Sequence, residues 1–468
     1  MGKQSKSNPI PGRYPRKAGR DGARPSPYSK KPRVDVRYEG ASQIGKTHPT
    51  EREIPSGSAK TKGKEKAVDQ SDPAILSAAL STQTPASSFV IIAGSYEKLL
   101  YGLEGSYESD SVNPTLKPIF IFPAHLACVK AVAASPGGKW LATGSEDEFV
   151  KVWDLRRRKE VGSLSQHEGS ITSLHFPTPS HLLTTSVDAT ISLFRTSDWA
   201  LLKSLKGHSG RVNHVDVHPT GRVALSVGKD GTLRMWDLMR GRGAASLALG
   251  SEAELVRFSP LGTHFAVLFA KQIQIYSLTL KLLHTLTTTS RFNTLLFASV
   301  PVLSSSGAEA KGTELLCVGT EKGVVEMYRI GSGPADLYGD EDEKSSDFVS
   351  GLAAEVDRLG LLVGHTKRIK SISSLSYLDP RNQAAEPPRS TVLLSSVSSD
   401  GLINLYDLGA FLSSLSILDH KKDESPQASP IASYDTKGSR LTSVFLNVSK
   451  EVVRECRDGH PNPDNHAT

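Results

Sequence analysis

A segment of about 40 residues recurs along this chain, and its internal pattern is the strongest constraint on the fold. The clearest copy runs from Gly207 to Leu238 and contains the alternating apolar runs RVNHVDV, VALSV and LRMWDL, with GAASLAL following. The turn sequences HPTGR and GKDGT separate these runs. Short alternating runs divided by such turns predict a unit of four short strands, which we label a to d in chain order.

Three other segments keep the same spacing between a histidine and an aspartate. The two residues are separated by 22, 21 and 22 positions in the first three copies and by 35 in the fourth, which contains an insert. An aromatic residue follows each aspartate by six positions. A spacing that holds across copies indicates a repeated structural unit. These residues are His125, Asp147 and Trp153; His167, Asp188 and Phe194; His208, Asp230 and Trp236; and His365, Asp400 and Tyr406.

Weaker copies complete the array. Residues 254–278 keep the strand rhythm without the histidine and aspartate, and residues 315–330 carry Lys322 where the aspartate is expected. A truncated unit begins at Phe89 and lacks its first strand, whereas residues 439–446 look like a first strand without a unit. Pairing these two segments would close a ring and remove both sheet edges. Polar inserts in the sixth and seventh units lie at 304–312, 332–351 and 379–390.

The repeated pattern resembles the WD-repeat family, whose fold implies an all-β, seven-bladed β-propeller of four-stranded blades. The resemblance covers residues 89–446, between an N-terminal tail at 1–88 and a flexible C-terminal tail at 447–468. In such blades a His, a Ser or Thr, an Asp and a Trp form a buried hydrogen-bonded chain. Backbone amides and the histidine satisfy the buried aspartate without a counter-ion. The full set is represented here by His208, Ser226, Asp230 and Trp236, whereas Phe194 and Tyr406 lack an indole donor.

The repeated histidines and aspartates look like catalytic pairs, but they recur with the period of the fold, so we assign them a structural role. The GKDGT turn is a hairpin turn and not a phosphate loop, because no Lys-Ser/Thr pair and no helix follow it. The three cysteines, Cys128, Cys317 and Cys456, are too far apart for a CxxC metal site and are interpreted as buried thiols. We predict a binding protein without catalytic residues, metal or cofactor.

Positive charge is concentrated at the N-terminus. Residues 1–66 contain 17 Lys and Arg against six Asp and Glu, a net charge of +11, whereas the whole chain carries +7 and its remainder therefore −4. The segment up to residue 88 is rich in Pro, Gly, Ser and Lys, which predicts disorder. Its lysine clusters suit a nuclear import receptor or a polyphosphate backbone, with a merely solvated tail as the alternative. The cluster residues are Lys30, Lys31, Arg33, Lys60, Lys62, Lys64 and Lys66.

The predicted binding surface is the propeller face where the d–a and b–c loops emerge. The residue three positions after each repeat histidine and the residue just before each repeat aspartate are expected to point there. Arg211, Lys229 and Arg368 would form a cationic sector for an acidic peptide or RNA phosphate, diluted by Glu146 and Glu254. Ordinary solvated loop charges are the alternative. The predicted face residues are Cys128, Glu146, Ser170, Val187, Arg211, Lys229, Glu254, Arg368 and Ser399.

Within the WD-repeat family, the chain is similar to the p21-activated-kinase-interacting proteins. Their fungal member is the "maintenance of killer" factor of large ribosomal subunit assembly. The similarity is carried by VIIAGSYEKLLYGLEG, by HPTGRVALSVGKDGTLRMWDLMRGR and by VRFSPLGTHFAVLFAKQIQIYSL. The first stretch is the most telling, because a generic repeat does not require AGSYE followed by YG. The resemblance implies a nucleolar protein needed for maturation of 60S precursors and, as a second activity, negative regulation of a p21-activated kinase.

We therefore expect a non-catalytic scaffold in the nucleus and nucleolus that docks on pre-60S particles as a monomer within a larger complex. Its partners would be assembly factors, ribosomal proteins and ribosomal RNA, and a polycationic tail on a rigid platform suits such a particle. No run of about 18 apolar residues and no signal peptide occur, so we expect a soluble intracellular protein without a membrane partner. The alternatives are a cytoplasmic signalling scaffold or kinase inhibitor, and a substrate receptor of a ubiquitin ligase.

Overall fold

The computed structural model of this protein describes residues 88–107, 111, 113–301, 312–331, 356–378, 390–417 and 425–448. The predicted basic tail, with its two lysine clusters, lies outside these ranges except for its last residue. Cys456, the chain beyond residue 448 and most of the three polar inserts also lie outside them. The helix found in the described ranges is too short to cross a bilayer.

The strands form seven sheets, which confirms the seven-bladed propeller that the repeats predict. Neighbouring strands a to d pair antiparallel within each blade. Blade 1 contains β1 (Ser88–Ser95), β2 (Leu99–Ser106) and β3 (Thr115–Pro123) as its b, c and d strands. Blades 2 and 3 contain β4 (Val129–Ala134), β5 (Trp140–Ser145), β6 (Val150–Asp154) and β7 (Lys159–Leu164), then β8 (Ile171–Thr178), β9 (His181–Ser186), β10 (Thr190–Arg195) and β11 (Leu201–Lys206).

The remaining blades follow the same order. Blade 4 contains β12 (Val212–Val217), β13 (Val223–Gly228), β14 (Thr232–Asp237) and β15 (Arg242–Ala248), and blade 5 contains β16 (Leu255–Phe258), β17 (His264–Leu268), β18 (Gln272–Ser277) and β19 (Leu282–Thr287). Blade 6 contains β20 (Phe292–Val300), β21 (Thr313–Thr320), β22 (Val325–Ile330) and β23 (Val356–Leu362). Blade 7 contains β24 (Ile369–Leu378), β25 (Ser390–Ser398), β26 (Leu402–Asp407) and, as its d strand, β28 (Ala432–Asp435).

The last strand closes the ring as predicted. Strand β29 (Leu441–Val448) pairs antiparallel with β1, with Ile92 opposite Phe445 and Gly94 opposite Ser443. It thereby supplies the a strand that blade 1 lacks. The a strands of successive blades contact one another around a closed circle, from β29 through β4 to β24 and back. This closure gives blade 1 its full four strands and completes the ring of blades.

The hydrophobic core is divided among the interfaces between blades. Between blades 3 and 4, for example, Leu183 and Ile191 pack with Val215 and Trp236, all at most 2% exposed. Equivalent clusters fill the other interfaces, including the one between blades 7 and 1. The inner strands read as apolar on both faces because each has a neighbouring blade on both sides. The d strands are more open, and β15 is mostly exposed.

Blade 7 contains two elements that the sequence analysis did not predict. Helix α1 (Leu408–Ile417) follows β26, and its Phe411 is 5% exposed in the cluster between blades 6 and 7. Strand β27 (Gln427–Ala428) then pairs in parallel with β23. The c–d connection of blade 7 therefore adds a fifth strand to blade 6 and covers part of its outer edge.

Candidate interaction face

One hydrogen-bonded chain runs through blade 4. The indole Nε1–H of Trp236 donates to Oγ of Ser226 at 2.8 Å, and this hydroxyl lies 2.7 Å from Nε2 of His208. Nδ1 of the same ring lies 2.9 Å from Oδ2 of Asp230. Because a carboxylate only accepts, Nδ1–H of His208 donates to Asp230; in a neutral imidazole Nε2 is then the acceptor, so the Ser226 hydroxyl donates to it. This order uses every polar hydrogen and requires a neutral imidazole.

Blade 2 repeats this chain with a threonine in place of the serine. Nε2 of His125 lies 2.8 Å from Oγ1 of Thr143, and Nδ1 lies 3.0 Å from Oδ2 of Asp147. The indole of Trp153 donates to the same hydroxyl at 3.1 Å. The sequence analysis named the other three residues but not Thr143. Blade 2 is therefore a second complete set.

Blade 3 keeps the chain without the indole. Nε2 of His167 lies 2.7 Å from Oγ1 of Thr184, and Nδ1 lies 2.8 Å from Oδ2 of Asp188. Phe194 occupies the aromatic position, so the indole donor is absent as predicted. In each of the four blades the hydroxyl residue stands four positions before the aspartate. That spacing was the signal in the sequence that would have identified all four hydroxyls.

Blade 7 replaces the indole with a phenol that bonds elsewhere. Nε2 of His365 lies 2.7 Å from Oγ of Ser396, and Nδ1 lies 3.3 Å from Asp400. The hydroxyl of Tyr406 donates to the carbonyl of Val363 at 3.1 Å. The phenol therefore ties β26 to the d–a loop that carries the histidine.

These sets have the connectivity of a Ser-His-Asp catalytic triad, but their environment differs from that of one. A nucleophilic hydroxyl must reach a substrate, whereas each of these hydroxyls is buried. The residues, Thr143, Thr184, Ser226 and Ser396, are all 0% exposed. In the part of the chain that the structure describes, no cluster of His, Cys, Asp or Glu is arranged to hold a metal ion. The sets hold loops in place.

Asp230 shows how a set holds two loops together. Its carboxylate accepts from the amide of Ser209 in the d–a loop at 3.0 Å and from the amide of Thr232 in the b–c turn at 3.1 Å. Burial opposes ionisation, but the hydrogen bonds from Ser209 and Thr232 outweigh it and lower the pKa of Asp230. Burial also lowers the pKa of His208, against the attraction of Asp230. The pair is therefore a carboxylate and a neutral imidazole.

Replacing Asp230 with alanine is expected to lower the free energy of unfolding by about 1–3 kcal/mol, because buried donors lose their acceptor. Urea unfolding followed by circular dichroism measures the change. Asp237→Ala is the control, since this residue lies at the opposite end of β14 and pairs with the exposed Arg240. An unchanged melting temperature together with loss of partner binding would show that Asp230 acts in recognition and not in structure.

The same sets make the fold sensitive to acid. Hydrogen bonds from His167 and Thr190 outweigh burial and lower the pKa of Asp188 to about 2, from an ordinary 3.8. Burial lowers the pKa of three repeat histidines below 6.5: His125, His208 and His365. Both types of group bind protons more tightly in the unfolded chain, so they stabilise the fold above their unfolded pKa and lose that contribution as the pH falls.

The free energy of unfolding is therefore expected to decrease below pH 6.5 as the histidines are protonated. It should decrease further between pH 3.8 and about 2 as Asp188 is protonated. Urea titrations at a series of pH values measure this dependence. Asp188→Asn should flatten the lower part of the curve without changing the upper part. A stability that stays constant from pH 7 to pH 5 would contradict the assigned histidine states.

The predicted face residues meet in pairs at one end of the propeller. In each pair the residue before the aspartate donates its backbone N–H to the carbonyl of the residue three after the histidine. The pairs are Glu146 and Cys128 at 3.1 Å, Val187 and Ser170 at 3.0 Å, Lys229 and Arg211 at 2.9 Å, and Ser399 and Arg368 at 3.2 Å. The d–a and b–c loops of a blade are thus joined at this face.

The side chain of Cys128 does not lie where the sequence predicted it. The residue is 4% exposed, so its side chain does not line the face, although its backbone does. Arg211 and Arg368, at the equivalent positions in blades 4 and 7, are exposed. The difference is one of length and polarity, because a short apolar thiol is enclosed where a long charged side chain reaches solvent. Burial raises the pKa of the Cys128 thiol, as expected for an unreactive cysteine.

The position of Glu254 also differs from the prediction. The strand register of blade 5 places Glu254 at the equivalent of Asn213, and Glu252 at the equivalent of Arg211. The prediction chose Glu254 in place of Glu252 because the blade 5 unit has no repeat histidine from which to count positions. Glu252 accepts from Arg211 at 2.7 Å and from Asn213 at 2.8 Å. Because Arg211 is paired and Arg368 lies three blades away, Arg211, Lys229 and Arg368 do not form one sector.

Charge on this face is instead distributed by blade. On blades 6 and 7 the exposed or half-buried cations are Arg291, Lys322, Lys367, Arg368 and Lys370, and Glu321 is an exposed acid among them. On blades 2 and 3 the exposed acids are Glu146, Glu148 and Glu168. The cationic side is therefore centred on the late blades, where three of the five cations lie within five residues after the last repeat histidine.

Exposed apolar side chains accompany this charge, and sequence reasoning missed them. Leu126 is 81% exposed and Phe149 is 39% exposed. The amides of both residues donate to Asp147, at 3.0 and 3.1 Å, so the two residues are neighbours. Tyr96 is 50% exposed, with the guanidinium of Arg440 4.3 Å from its ring centre. Leu126 directly follows a repeat histidine, where the other three copies have a polar residue, and that contrast was a usable signal.

Comparison with known proteins agrees with this architecture. The family profile described as "WD domain, G-beta repeat" matches residues 116–154, 158–195 and 199–237, from β3 to β14. Protein MAK11 of Saccharomyces cerevisiae is 31% identical over 361 residues, which cover 71% of this chain and 84% of the yeast protein.

Vertebrate relatives match over a shorter range. The p21-activated protein kinase-interacting protein 1-like of Gallus gallus is 37% identical over 46% of this chain and 58% of its own length. The p21-activated protein kinase-interacting protein 1 of Homo sapiens is 36% identical over 47% of this chain and 57% of its own length. The chain thus spans less than two thirds of these vertebrate proteins, but most of the yeast protein. It belongs to the WD-repeat family that includes MAK11 and the p21-activated protein kinase-interacting proteins.

Proposed function

We propose that this protein is a non-catalytic scaffold for assembly of the large (60S) ribosomal subunit, acting in the nucleolus. The observation that carries the proposal is the match to MAK11 over 71% of the chain, because the resemblance to this fungal factor implies a role in large-subunit assembly. The net charge of +11 over residues 1–66 is consistent with an RNA-rich partner.

The two parts of the chain would contribute differently to binding. The basic segment supplies affinity for phosphate that is independent of sequence and weakens with salt. The propeller supplies a specific protein contact through the face where the d–a and b–c loops emerge. Joining two weak contacts in one chain raises the effective concentration of the second, so the pair binds more tightly than either alone.

The proposal is tested by purifying the full chain from cells with a C-terminal tag at moderate salt. Precursor large-subunit rRNA with assembly factors is the expected result. A kinase or a ubiquitin ligase without precursor rRNA would overturn the proposal while leaving the propeller intact. The same purification at higher salt should lose RNA before it loses proteins if the basic segment contacts phosphate.

Localisation provides a second test. A fluorescent fusion of the full chain is expected in the nucleolus, and deletion of residues 1–66 is expected to reduce that signal. Deletion of residues 449–468 is the control, because it removes a terminal segment that lacks the lysine clusters. A full-length fusion confined to the cytoplasm would count against an assembly role and favour a signalling scaffold.

Regulation of a p21-activated kinase is the second candidate, and the names of the vertebrate relatives favour it. Adding the purified full chain to such a kinase should then lower its activity at a molar ratio near one to one. The matched variant is Arg368→Glu, which reverses the charge of one exposed residue on the candidate interaction face. No binding of the wild-type chain to the kinase would remove this candidate without affecting the first.

A further inference from the structure

The inner strands share a one-residue bulge at the end nearest the candidate interaction face. The pairing of a with b skips one residue there, in six blades by strand register. In blade 5 the residue at this position directly precedes β16. Because the a strands form the innermost circle, these residues surround the mouth of the central channel. They are Thr442, Lys130, Thr172, Asn213, Glu254, Asn293 and Lys370.

Three of these side chains join one blade to the next. Each donates a hydrogen bond to the carbonyl of the residue just before the next bulge. The bonds are Thr442 Oγ1 to Val129 at 2.5 Å, Thr172 Oγ1 to Val212 at 2.6 Å, and Asn213 Nδ2 to Ala253 at 2.8 Å. A donor at this position is therefore normally used within the ring.

Lys130 and Glu254 are also partnered, although differently. Nζ of Lys130 lies 2.7 Å from Oε1 of Glu146 in the same blade. Glu254 accepts from the guanidinium of Arg291 in blade 6. Both are carboxylate–cation pairs, so the mouth already uses acidic groups as partners for its cations.

Asn293 and Lys370, on adjacent blades, break the pattern. Nδ2 of Asn293 is buried and has no acceptor among the residues that the structure describes. Lys370 is half-buried, and within the described ranges no carboxylate pairs with its amine. Burial lowers the pKa of Lys370, and the positive charges of Arg368, Lys130 and Arg291 lower it further. A buried donor without a partner has lost its hydrogen bonds to water without replacement, and an incoming acceptor would restore one.

We propose that the channel mouth at blades 6 and 7 binds the carboxylate of an Asp or Glu side chain in an acidic segment of a partner protein. Lys370 and Asn293 are its donors. The proposal rests on the proposed scaffold function and specifies the chemistry of the contact. Arg368 lies on the approach to the site, where it attracts acidic segments before the carboxylate enters.

The surroundings favour a protein segment over RNA. Nδ2 of Asn293 is buried and Lys370 is half-buried, so an acceptor that reaches both must be carried on a narrow stalk, as a carboxylate is on its side chain. Phosphates lie along a broad nucleic acid backbone and are better matched by exposed cations. The exposed Leu126 and Phe149 offer apolar contact to residues beside the acid. Both apolar residues lie on the d–a and b–c loops of blade 2, the blade that contributes the Lys130–Glu146 pair to the same mouth.

The test selects random 12-residue peptides displayed on phage against the full wild-type chain. Peptides that bind should be enriched in Asp or Glu next to a bulky apolar residue. A synthetic copy of an enriched peptide should bind Lys370→Met at least tenfold more weakly in fluorescence anisotropy. Leu126→Asp should weaken it as well, because it adds a charge that repels the acid and removes the apolar contact.

The controls are matched substitutions on the opposite face. Lys281→Met and Leu261→Asp lie in the c–d and a–b connections of blade 5, and neither should change the affinity. Because Lys370 has no ion-pair partner among the residues that the structure describes, Lys370→Met is expected to melt no lower than the wild type, which separates binding from folding. Peptides without acidic enrichment, or affinity unchanged by Lys370→Met, would overturn the site.

Two further outcomes separate this proposal from others. Displacement of the peptide by single-stranded RNA on wild-type chain but not on Lys370→Met would assign the site to phosphate and overturn the protein-segment proposal. Lys370-dependent peptide binding by a chain that does not purify with precursor rRNA would support the site and reject the assembly role. The failure of one proposal is therefore distinguishable from the failure of the other.

Discussion

A chain that ends at Gly438 is expected to lose its stable fold, because it lacks the strand that closes the ring. Without β29, blade 1 keeps only its b, c and d strands, so the edge of β1 and the surfaces of β4 and β24 that β29 covers are exposed. Leu441, Val444 and Leu446 are 0%, 4% and 2% exposed. Their burial contributes about 2 kcal/mol each, or about 6 kcal/mol together. That sum is comparable to the whole stability of many domains.

Thermal melting and gel filtration measure the effect. The truncated chain should elute as aggregate or melt without a cooperative transition, whereas a control chain ending at residue 450 keeps β29 and should behave as the full chain does. The amide of Leu446 also donates to Ser373 of blade 7 at 3.1 Å, so the lost strand affects both neighbouring interfaces. A truncated chain with an unchanged melting temperature would show that the ring closes by other contacts.

The second large effect is expected for Asp216→Ala, which removes a link across three blades. Oδ1 of Asp216 in β12 lies 3.1 Å from Nη1 of Arg257 in β16 and 3.2 Å from Nδ1 of His175 in β8. Oδ2 accepts from the buried amide of Phe258 at 2.8 Å. Its removal leaves Arg257 and that amide without their acceptor. Since Arg257 is 33% exposed, we expect a loss of about 2–3 kcal/mol.

Urea unfolding measures this loss as a lower midpoint with an unchanged slope. The control is Asp198→Ala, which breaks an exposed Arg–Asp pair with Arg195 and should leave the midpoint unchanged. Equal midpoints for Asp216→Ala and the wild type would show that the link across blades 3 to 5 adds nothing to stability. Peptide binding by Asp216→Ala should be measured as well, because Asp216 lies on the same inner strand as Asn213 of the channel mouth.

Much of the fold follows from the sequence because each repeat contains its own local instructions. The histidine, the turn aspartate and the aromatic residue lie within one unit, so their spacing predicts a four-stranded blade before any contact is known. The His208 chain and its missing indole counterpart at Phe194 were both predicted in this way. Ring closure by residues 439–446 was predicted from a counting argument, since one strand was missing at one end and one was unpaired at the other.

Contacts between units could not be predicted in this way. The residues around the channel mouth come from seven separate units, and a bulge decides which side chain points at the axis. His175, Asp216 and Arg257 occupy the same position of three successive a strands, so the repeat period places them in neighbouring blades, but only the assembled ring shows that their side chains meet. The burial of Cys128 and the shift of Glu254 likewise depend on side-chain length and strand register in the assembled ring.

The sequence by itself therefore determined the blade and the number of blades, and it predicted a structural role for the repeated His–Asp pairs and closure of the ring by the last strand. Only the tertiary structure decided how blades are joined, which charges are paired and which donors are left without an acceptor. The physical reason is that a repeat determines its own strands through spacing and turn chemistry. The surroundings of a side chain at the channel mouth are set by neighbouring blades that the repeat does not contain.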